Sequence, residues 1–337
     1  MRKEKCNILV SGLLSTGSSA LIDMLREYDD LHVLPGEFND FKTPGLVADQ
    51  LSLPQNTEFL NKIEMLTDFN KKVQLIYNSV LPILKLKVRS AIAIRFRLTR
   101  LVNRIKELTL LKKLNENLIS NIAFEDKILV ANTWIQDIGS INAKNKLYVV
   151  FNNALSPVID SEIWTKVFYP FKLIIVYRDP KDQLADIIQK GYLYAPYGAP
   201  YMNHGGNLIE TLYGRDRKSA IKFHIEAIKK RMEWIDKLKV ELDAKNFLLI
   251  DFEGLVNNYD LYKSAVENFI GDIKPYAKKH KIYFDPTSAR KSIGIYKKYL
   301  NSEDQESLFE LENWYAKMIK SNQVLYKATD KNFELSV

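Results

Sequence analysis

The chain has 337 residues, with 49 lysines and arginines against 41 aspartates and glutamates, and a formal charge of +8. Hydrophobic residues make up 46% and charged residues 27%, which is typical of a globular chain and excludes a disordered or fibrous one. The single cysteine, Cys6, excludes a disulfide scaffold and a cysteine-based zinc site. We expect a cytoplasmic protein, because no apolar run reaches the roughly 18 residues that span a membrane.

Short apolar runs rich in β-forming residues recur along the chain. They lie at 6–12, 31–35, 146–151, 172–178 and 246–252, with 127–132 as a sixth candidate. These runs are apolar on both faces, as strands are in a parallel sheet covered by helices. Helical periodicity lies between them at 18–28, 182–190, 216–240, 259–271 and 303–319. The alternation predicts an α/β fold with a central parallel sheet flanked by helices.

Two regions interrupt this alternation within what we predict to be one domain over 1–337. Residues 50–125 are predicted to form a mostly helical insert. Residues 191–214 form a long segment rich in Tyr, Gly and Pro. Loops of this length are often functional, so this one is either a surface loop or part of an acceptor pocket.

A glycine-rich turn follows the first predicted strand. The strand ends at Gly12, and Gly17 opens the next predicted helix. Backbone N–H groups at a helix start lack intrahelical partners and bind phosphate or sulfate. The spacing matches the P-loop pattern G-x-x-x-x-G-K-[ST], except that Ser18 replaces the lysine. We predict an anion site to which hydroxyls add donors, from Ser15, Thr16, Ser18 and Ser19; a plain strand-to-helix turn is the alternative.

An arginine follows the predicted strand at 172–178. Arg178 lies at the carboxyl end of this strand, where open α/β sheets bind ligands. Asp179 and Pro180 suit the cap and the first turn of the next helix. Arg178 is therefore placed for a bidentate contact with a phosphate. The alternative is a structural ion pair with Asp179 or Asp182.

These two segments, in this order, resemble the sulfotransferases that use 3′-phosphoadenosine 5′-phosphosulfate (PAPS). Residues 15–19 stand where the family has its 5′-phosphosulfate loop, and 177–180 are similar to its 3′-phosphate strand and helix. The stretch 246–256 is similar to the family strand that ends in Tyr-Glu-Asp-Leu-Val. Residues 288–300 look like the basic C-terminal loop over the 3′-phosphate, with matching positions at Arg290, Lys291, Ser292 and Gly294. The resemblance implies a P-loop NTPase-like three-layer sandwich of a bacterial or carbohydrate-type branch, with PAPS as the sulfuryl donor.

Two positions depart from the family pattern. Ser15 stands where the family has a basic residue that stabilises the leaving group, and Lys42 is a candidate substitute. Asp186 stands where the family usually has a serine that holds the 3′-phosphate. Because a carboxylate repels a phosphate, either Asp186 turns away or Lys181 and Lys190 compensate for its charge.

A hydroxyl acceptor requires a general base, and three residues are candidates. Glu37 follows the strand at 31–35, and the pair Gly36-Glu37 resembles the one that carries the base in a branch that sulfates tyrosines and sugars. A surface carboxylate in a turn is the alternative. Asp40 is the second candidate, and His204 in the Tyr-rich segment is the third, because histidine titrates near neutral pH.

The positive charge is concentrated in one segment. Residues 81–113 contain ten basic residues and one acid, a charge of +9, so the rest of the +8 chain sums to −1. Such a basic amphipathic segment suits an anionic membrane surface or lipid-linked acceptor, an acidic glycan, or a solvated helix face. We therefore expect a saccharide or lipid-linked glycan as the acceptor, with peripheral contact at the inner membrane surface.

Two other functions stay open at this point. A P-loop-like nucleotide kinase or NTPase would use the same turn, but the lysine is missing and Asp251 is the one evident strand-end candidate for Mg²⁺. A non-catalytic basic binding protein of the same fold is consistent with Ser15 in place of the family cation. No metal site is predicted, since HExxH and paired cysteines are missing from the sequence. Nucleic-acid binding is not expected without a recognised module.

Overall fold

The computed structural model describes residues 6–12, 15–42, 47–52, 103–114, 116–118, 123–141, 143, 146–194, 216–271, 273 and 283–321. The strands within these residues are β1 (Cys6–Ser11), β2 (Leu31–Val33), β3 (Tyr148–Asn152), β4 (Phe171–Tyr177) and β5 (Phe247–Asp251). They form one parallel sheet in the order β2-β3-β1-β4-β5, flanked by helices. The predicted α/β fold is confirmed.

The helices follow the strands along the chain. The earlier ones are α1 (Ser18–Leu25), α2 (Asn39–Lys42), α3 (Val47–Ser52), α4 (Phe124–Ser140), α5 (Ser161–Val167), α6 (Pro180–Gln189) and α7 (Arg217–Glu241). The later ones are α8 (Phe252–Asn257), α9 (Tyr259–Ile270), α10 (Pro286–Ala289), α11 (Tyr296–Tyr299), α12 (Ser302–Glu306) and α13 (Phe309–Lys320). A 3₁₀ turn lies between α10 and α11, at Arg290–Ser292.

The chain divides into two compact units. The first comprises Met1–Asn7 and His32–Phe171, and the second comprises Ile8–Leu31 and Lys172–Val337. The first unit contains the predicted turn with Glu37. The second contains the glycine-rich turn, Arg178 and the basic C-terminal segment.

An aromatic cluster forms the core of the first unit. Phe38 packs edge-on against Phe151, with ring centroids 5.0 Å apart, and lies 5.6 Å from the ring of Trp134. Phe168 packs edge-on against Phe151 at 5.4 Å. Pairs in this range contribute beyond the area that they bury. The cluster anchors the chain directly after Glu37, because the backbone N–H of Phe38 also donates to the carbonyl of Asn152 at 2.8 Å.

Apolar faces of α6, α7 and α13 form the core of the second unit, with Leu184, Ile221, Ile228 and Leu311 among the buried residues. Helix α7 begins as the sequence predicts, because Asp216 caps it by accepting the N–H of Ser219 at 2.9 Å. The predicted helix at 303–319 is instead two helices, α12 and α13.

Strands β4 and β5 pair in a register that places their carboxyl ends side by side. Leu173 is opposite Phe247, and Tyr177 is opposite Asp251. The residues that follow these ends, Arg178 and Phe252, are therefore neighbours. The guanidinium carbon of Arg178 lies 4.9 Å from the ring centroid of Phe252.

The prediction of a strand at 127–132 is wrong, because these residues belong to helix α4. Ile128, Ala131 and Ile135 are buried on one face of this helix, while Leu129 is exposed. The spacing of the buried residues is that of a helix. A window of six residues was too short to distinguish the two periods.

The described part of the basic segment is a helix over 103–114 with one buried face. Leu108, Leu111 and Leu114 are buried, whereas its three lysines point to solvent, namely Lys106, Lys112 and Lys113. Residues 81–102 lie outside the described residues. No helix in the described ranges is long and apolar enough to cross a membrane.

Candidate functional site

We refer to residues 12–19 as the glycine loop, of which 13 and 14 lie outside the described residues. Gly17 caps α1 in the left-handed conformation, with φ of +88°, and no side chain caps this helix end. A Cβ at Gly17 would lie 2.2 Å from the ring of Phe252. The loop therefore needs glycine both for its backbone angle and for close contact with the start of α8.

The hydroxyls of the glycine loop differ in their surroundings. Ser18 is buried and its hydroxyl donates to the carbonyl of Gly12 at 3.0 Å, while Ser19 is exposed. The Thr16 hydroxyl is buried and has no hydrogen-bond partner. A buried polar group without a partner is rare, and a bound ligand is one way to satisfy it. Thr16 and the uncapped N–H groups of α1 therefore suit an anion.

Arg178 connects the glycine loop to the basic C-terminal segment. One terminal nitrogen donates to the carbonyl of Ser15 at 3.1 Å, and the other donates to the carbonyl of Ser292. Ser15 itself has a positive φ of 61°. The Arg178 side chain is only 3% exposed. Because its planar group has donors on two sides, one buried side chain fixes two distant loops.

Two carboxylates face the same guanidinium. Glu253 lies 3.8 Å from the Nε of Arg178, and Asp186 lies 3.8 Å from a terminal nitrogen. The Nε itself makes no hydrogen bond. The predicted structural alternative for Arg178 named Asp179 or Asp182. The structure instead brings Asp186 and Glu253 to this group.

Asp186 is compensated by one of the two lysines considered for that role. The Nζ of Lys190 lies 2.5 Å from its carboxylate. Lys181 instead pairs with Glu312 and lies over the ring of Tyr296, at 4.6 Å from the centroid.

Asp182 holds the segment that follows the 3₁₀ turn. Its two carboxylate oxygens accept the backbone N–H of Gly294 at 2.6 Å and that of Tyr296 at 3.1 Å. Gly294 has a φ of +76°. Arg290 and Lys291 are exposed on the adjacent turn, and neither has an ion-pair partner among the described residues. Two uncompensated cations thus stand next to a turn that Asp182 and Arg178 hold in place.

Glu37 lies in the first unit, at a turn with Gly36 at φ of +79°. Its carboxylate accepts the side-chain amide of Asn153 at 3.1 Å and lies 3.9 Å from the Nζ of Lys42. Half of its side chain is exposed. Glu37 is therefore held by one hydrogen bond and accessible to solvent, and Lys42 lies beside it.

Asp40 does not have the surroundings of a general base. It is buried, and both of its oxygens accept hydrogen bonds from Arg104, one of them at 2.6 Å. Burial works against the charge of Arg104, but Asp40 and Glu107 outweigh it and raise the arginine pKa above its usual value. Because Arg104 engages both oxygens, neither is available to an acceptor hydroxyl. Asp40 is a structural anchor for the basic helix.

We expect Asp40→Asn to lower the free energy of unfolding by about 2–3 kcal/mol, since it leaves Arg104 without its main counter-charge. Urea denaturation measures the change. Asp23→Asn is the control, because it breaks a more exposed pair with Arg26 and should cost less than about 1 kcal/mol. Equal effects of the two substitutions would mean that the Asp40 pair does not support the fold.

The remaining predictions concern His204, Asp251 and a metal site. His204 lies outside the described residues. Asp251, considered for Mg²⁺, is buried at the end of β5, where it caps α8 by accepting the N–H of Gly254 at 2.5 Å and also accepts the hydroxyl of Tyr262. In the described part of the chain, no group of three or more His, Cys, Asp or Glu side chains is placed to hold a metal ion.

The sequence analysis did not identify Glu253 as a site residue, although its pKa is strongly shifted at this site. Its carboxylate accepts the hydroxyl of Tyr315 at 2.8 Å, and the backbone N–H of Asp179 lies 3.4 Å from both of its oxygens. Burial raises the pKa of Glu253 to about 7. The available signal was its position two residues after a strand, next to the strand that precedes Arg178.

Comparisons with known proteins give a limited likeness. No family model matches the sequence, and no curated protein matches it. The sulfotransferase domain from the curacin biosynthetic pathway is 15% identical, with 92% of this chain and 98% of that chain covered and a TM-score of 0.42. The sulfotransferase domain from the Synechococcus PCC 7002 olefin synthase is 16% identical, with 93% and 96% covered and a TM-score of 0.39. The functional conclusion therefore rests on the residues of this chain.

Proposed function

We propose that this protein is a sulfotransferase that moves a sulfuryl group from PAPS to a hydroxyl acceptor by in-line displacement. One observation carries the proposal. Arg178 joins an uncapped glycine loop, which contains an unpartnered buried hydroxyl, to a turn with two uncompensated cations. A donor with a phosphosulfate at one end and a phosphate at the other requires two such anion sites in one unit.

In this proposal the residues of the second unit bind and orient the donor. Thr16 and the first N–H groups of α1 hold the 5′-phosphosulfate, and Arg290 and Lys291 hold the 3′-phosphate. Arg178 keeps both loops in place. The donor supplies the activated sulfuryl group, and the protein contributes positioning and charge stabilisation, as in phosphoryl transfer.

Two contacts speak against a nucleotide kinase or NTPase. The position of the P-loop lysine is Ser18, whose hydroxyl donates inward to Gly12 rather than toward a ligand. The carboxylate of Asp251 is engaged by Gly254 and Tyr262 at the start of α8. Magnesium-dependent chemistry needs a free carboxylate oxygen and a clamp for the outer phosphates. Neither is supplied at these two positions.

The acceptor in our proposal is a saccharide or lipid-linked glycan. The support is the basic segment 81–113, whose described helix presents three lysines to solvent. Peripheral contact with an anionic inner membrane surface would bring a lipid-linked acceptor to a cytoplasmic enzyme.

Thermal unfolding with two nucleotides tests the proposed function. Adenosine 3′,5′-bisphosphate at 100 times its dissociation constant should stabilise the protein by about 2.7 kcal/mol. Mg-ATP should stabilise it much less. The reverse order would overturn the sulfotransferase proposal in favour of a kinase. Binding of the bisphosphate without transfer to any acceptor would favour a non-catalytic binding protein.

Glu37 is our candidate for the general base. We expect Glu37→Gln to lower turnover by about 100-fold or more, because a positioned base contributes on this scale. The affinity for adenosine 3′,5′-bisphosphate should stay the same. Bisphosphate formation from PAPS, with octyl glucoside as the acceptor, measures turnover. Glu162→Gln is the control, since Glu162 is an exposed carboxylate of the same unit. Parallel loss of turnover and affinity would contradict the assignment.

A further inference from the structure

The charges around Arg178 do not favour a phosphate as they stand. The guanidinium is flanked by Asp186 and Glu253, and Lys190 compensates only the first of them. Asp179 adds another acidic group, since it caps α6 and acts electrostatically on Glu253. With both flanking carboxylates ionised, Arg178 and Lys190 only cancel them. These four groups therefore offer a dianionic phosphate no excess positive charge, and the excess comes from Arg290 and Lys291 alone.

We infer that Glu253 takes up one proton when an anionic nucleotide binds beside Arg178, so that the carboxyl group acts as a proton-linked positioning residue for the donor. This inference rests on the proposed function, because it concerns the phosphate subsite of the same donor. The proton comes from solvent and goes to the Glu253 carboxylate. Arg178 keeps its hydrogen bonds to the carbonyls of Ser15 and Ser292, and its positive charge is then opposed by one acidic neighbour instead of two.

The surroundings of Glu253 support this assignment on geometric grounds. Titratable and charged groups face it from each neighbouring element: Arg178 and Tyr177 from the end of β4, Asp179 from the cap of α6, Asp251 from the end of β5, and Tyr315 from α13. Arg178 is the one cation in this group. The two aspartates disfavour a further negative charge, and the tyrosine hydroxyl can hydrogen bond to the carboxyl group in either form.

The pKa of Glu253 places the proton uptake in a range that is easy to measure. Burial raises this pKa to about 7, so the carboxyl group is largely ionised at pH 8 before the nucleotide binds. The bound phosphate raises the pKa further, and protonation then accompanies binding. Below pH 6 the group is already protonated and no uptake follows. The affinity should therefore fall by about tenfold for each pH unit above 7.

Titration calorimetry with adenosine 3′,5′-bisphosphate at pH 8, in two buffers with different ionisation enthalpies, counts the protons. We expect about one proton taken up by the wild type and almost none by Glu253→Gln. The variant should bind the bisphosphate about tenfold more tightly than the wild type at pH 8. The ligand contributes little, because a phosphate monoester has its second pKa near 6. Asp260→Asn, an exposed carboxylate on α9, is the matched control and should behave as wild type.

A second variant keeps the test independent of how Glu253→Gln folds. Tyr315→Phe removes the hydrogen bond that lowers the carboxyl pKa, so the onset of proton uptake should move to higher pH. Binding without proton uptake in the wild type, or uptake unchanged in Glu253→Gln, would overturn the inference and leave the proposed function intact. No bisphosphate binding by any variant at pH 6 or pH 8 would overturn the proposed function itself.

Discussion

Arg178→Ala is expected to eliminate the thermal stabilisation that adenosine 3′,5′-bisphosphate gives the wild type. The substitution removes the donors that hold the carbonyls of Ser15 and Ser292, so both anion-binding loops lose their shared support. It also leaves Glu253 without its cation. We expect the free energy of unfolding to fall by about 3 kcal/mol at pH 8, as when one partner of a buried ion pair is removed. Chemical denaturation and nucleotide-dependent melting measure the two effects.

The pH dependence of stability separates the loss of the ion pair with Glu253 from the loss of the two hydrogen bonds to carbonyls. Near pH 5 Glu253 is protonated, so the loss of stability should be smaller there than at pH 8. Arg178→Lys keeps one charge but cannot reach two carbonyls, and it should also bind the bisphosphate poorly. Lys229→Ala removes a half-exposed cation of the same unit and serves as the control. An Arg178→Ala variant that binds the bisphosphate within threefold of wild type would refute the role assigned to this arginine.

Gly17→Ala should strongly destabilise the protein. An alanine at φ of +88° costs about 1–2 kcal/mol, and the new Cβ would overlap the ring of Phe252 at 2.2 Å, which adds about 1–3 kcal/mol. The Phe252 ring would have to move away from the glycine loop. We therefore expect a loss of about 2–5 kcal/mol in the free energy of unfolding, together with weaker binding of the bisphosphate.

Gly191→Ala provides a matched control for this prediction. Gly191 has a φ of +74°, but a Cβ there would meet nothing within 4 Å. Gly191→Ala should therefore lower the free energy of unfolding only by the cost of placing an alanine at positive φ, about 1–2 kcal/mol. Gly17→Ala in a Phe252→Leu background should recover part of the excess over this control. Similar losses for Gly17→Ala and Gly191→Ala would contradict the proposed contact with Phe252.

The periodicity of the sequence predicted individual strands and helices better than it predicted the contacts between them. The strand β4 is apolar on both faces and was predicted as a buried strand, and the amphipathic helix α7 was predicted to within one residue of its bounds. The candidate strand at 127–132 failed because β-forming residues there also satisfy a helical spacing. These residues are helical because α4 buries one face over several turns.

At the predicted site too, the sequence indicated where individual residues lie but not which residues distant in sequence they contact. Arg178 could be placed at a strand end from sequence, but its neighbours Glu253 and Ser292 depend on the pairing of β4 with β5 and on a turn far along the chain. The pair between Asp40 and Arg104 spans 64 residues and has no local signal. Asp40 was therefore considered as a base, although its neighbour makes it a structural residue.

The two hydrogen bonds of Arg178 also have a consequence for the order in which the protein acquires its ligand site during synthesis. Ser292 is translated 277 positions after Ser15. It is translated 114 positions after Arg178, so the hydrogen bond between Arg178 and Ser292 can form only late in synthesis. A nascent chain that has completed its first four strands and Arg178 still lacks the turn that Arg178 holds. High-affinity nucleotide binding should therefore begin only after residues up to about 296 have been released from the ribosome.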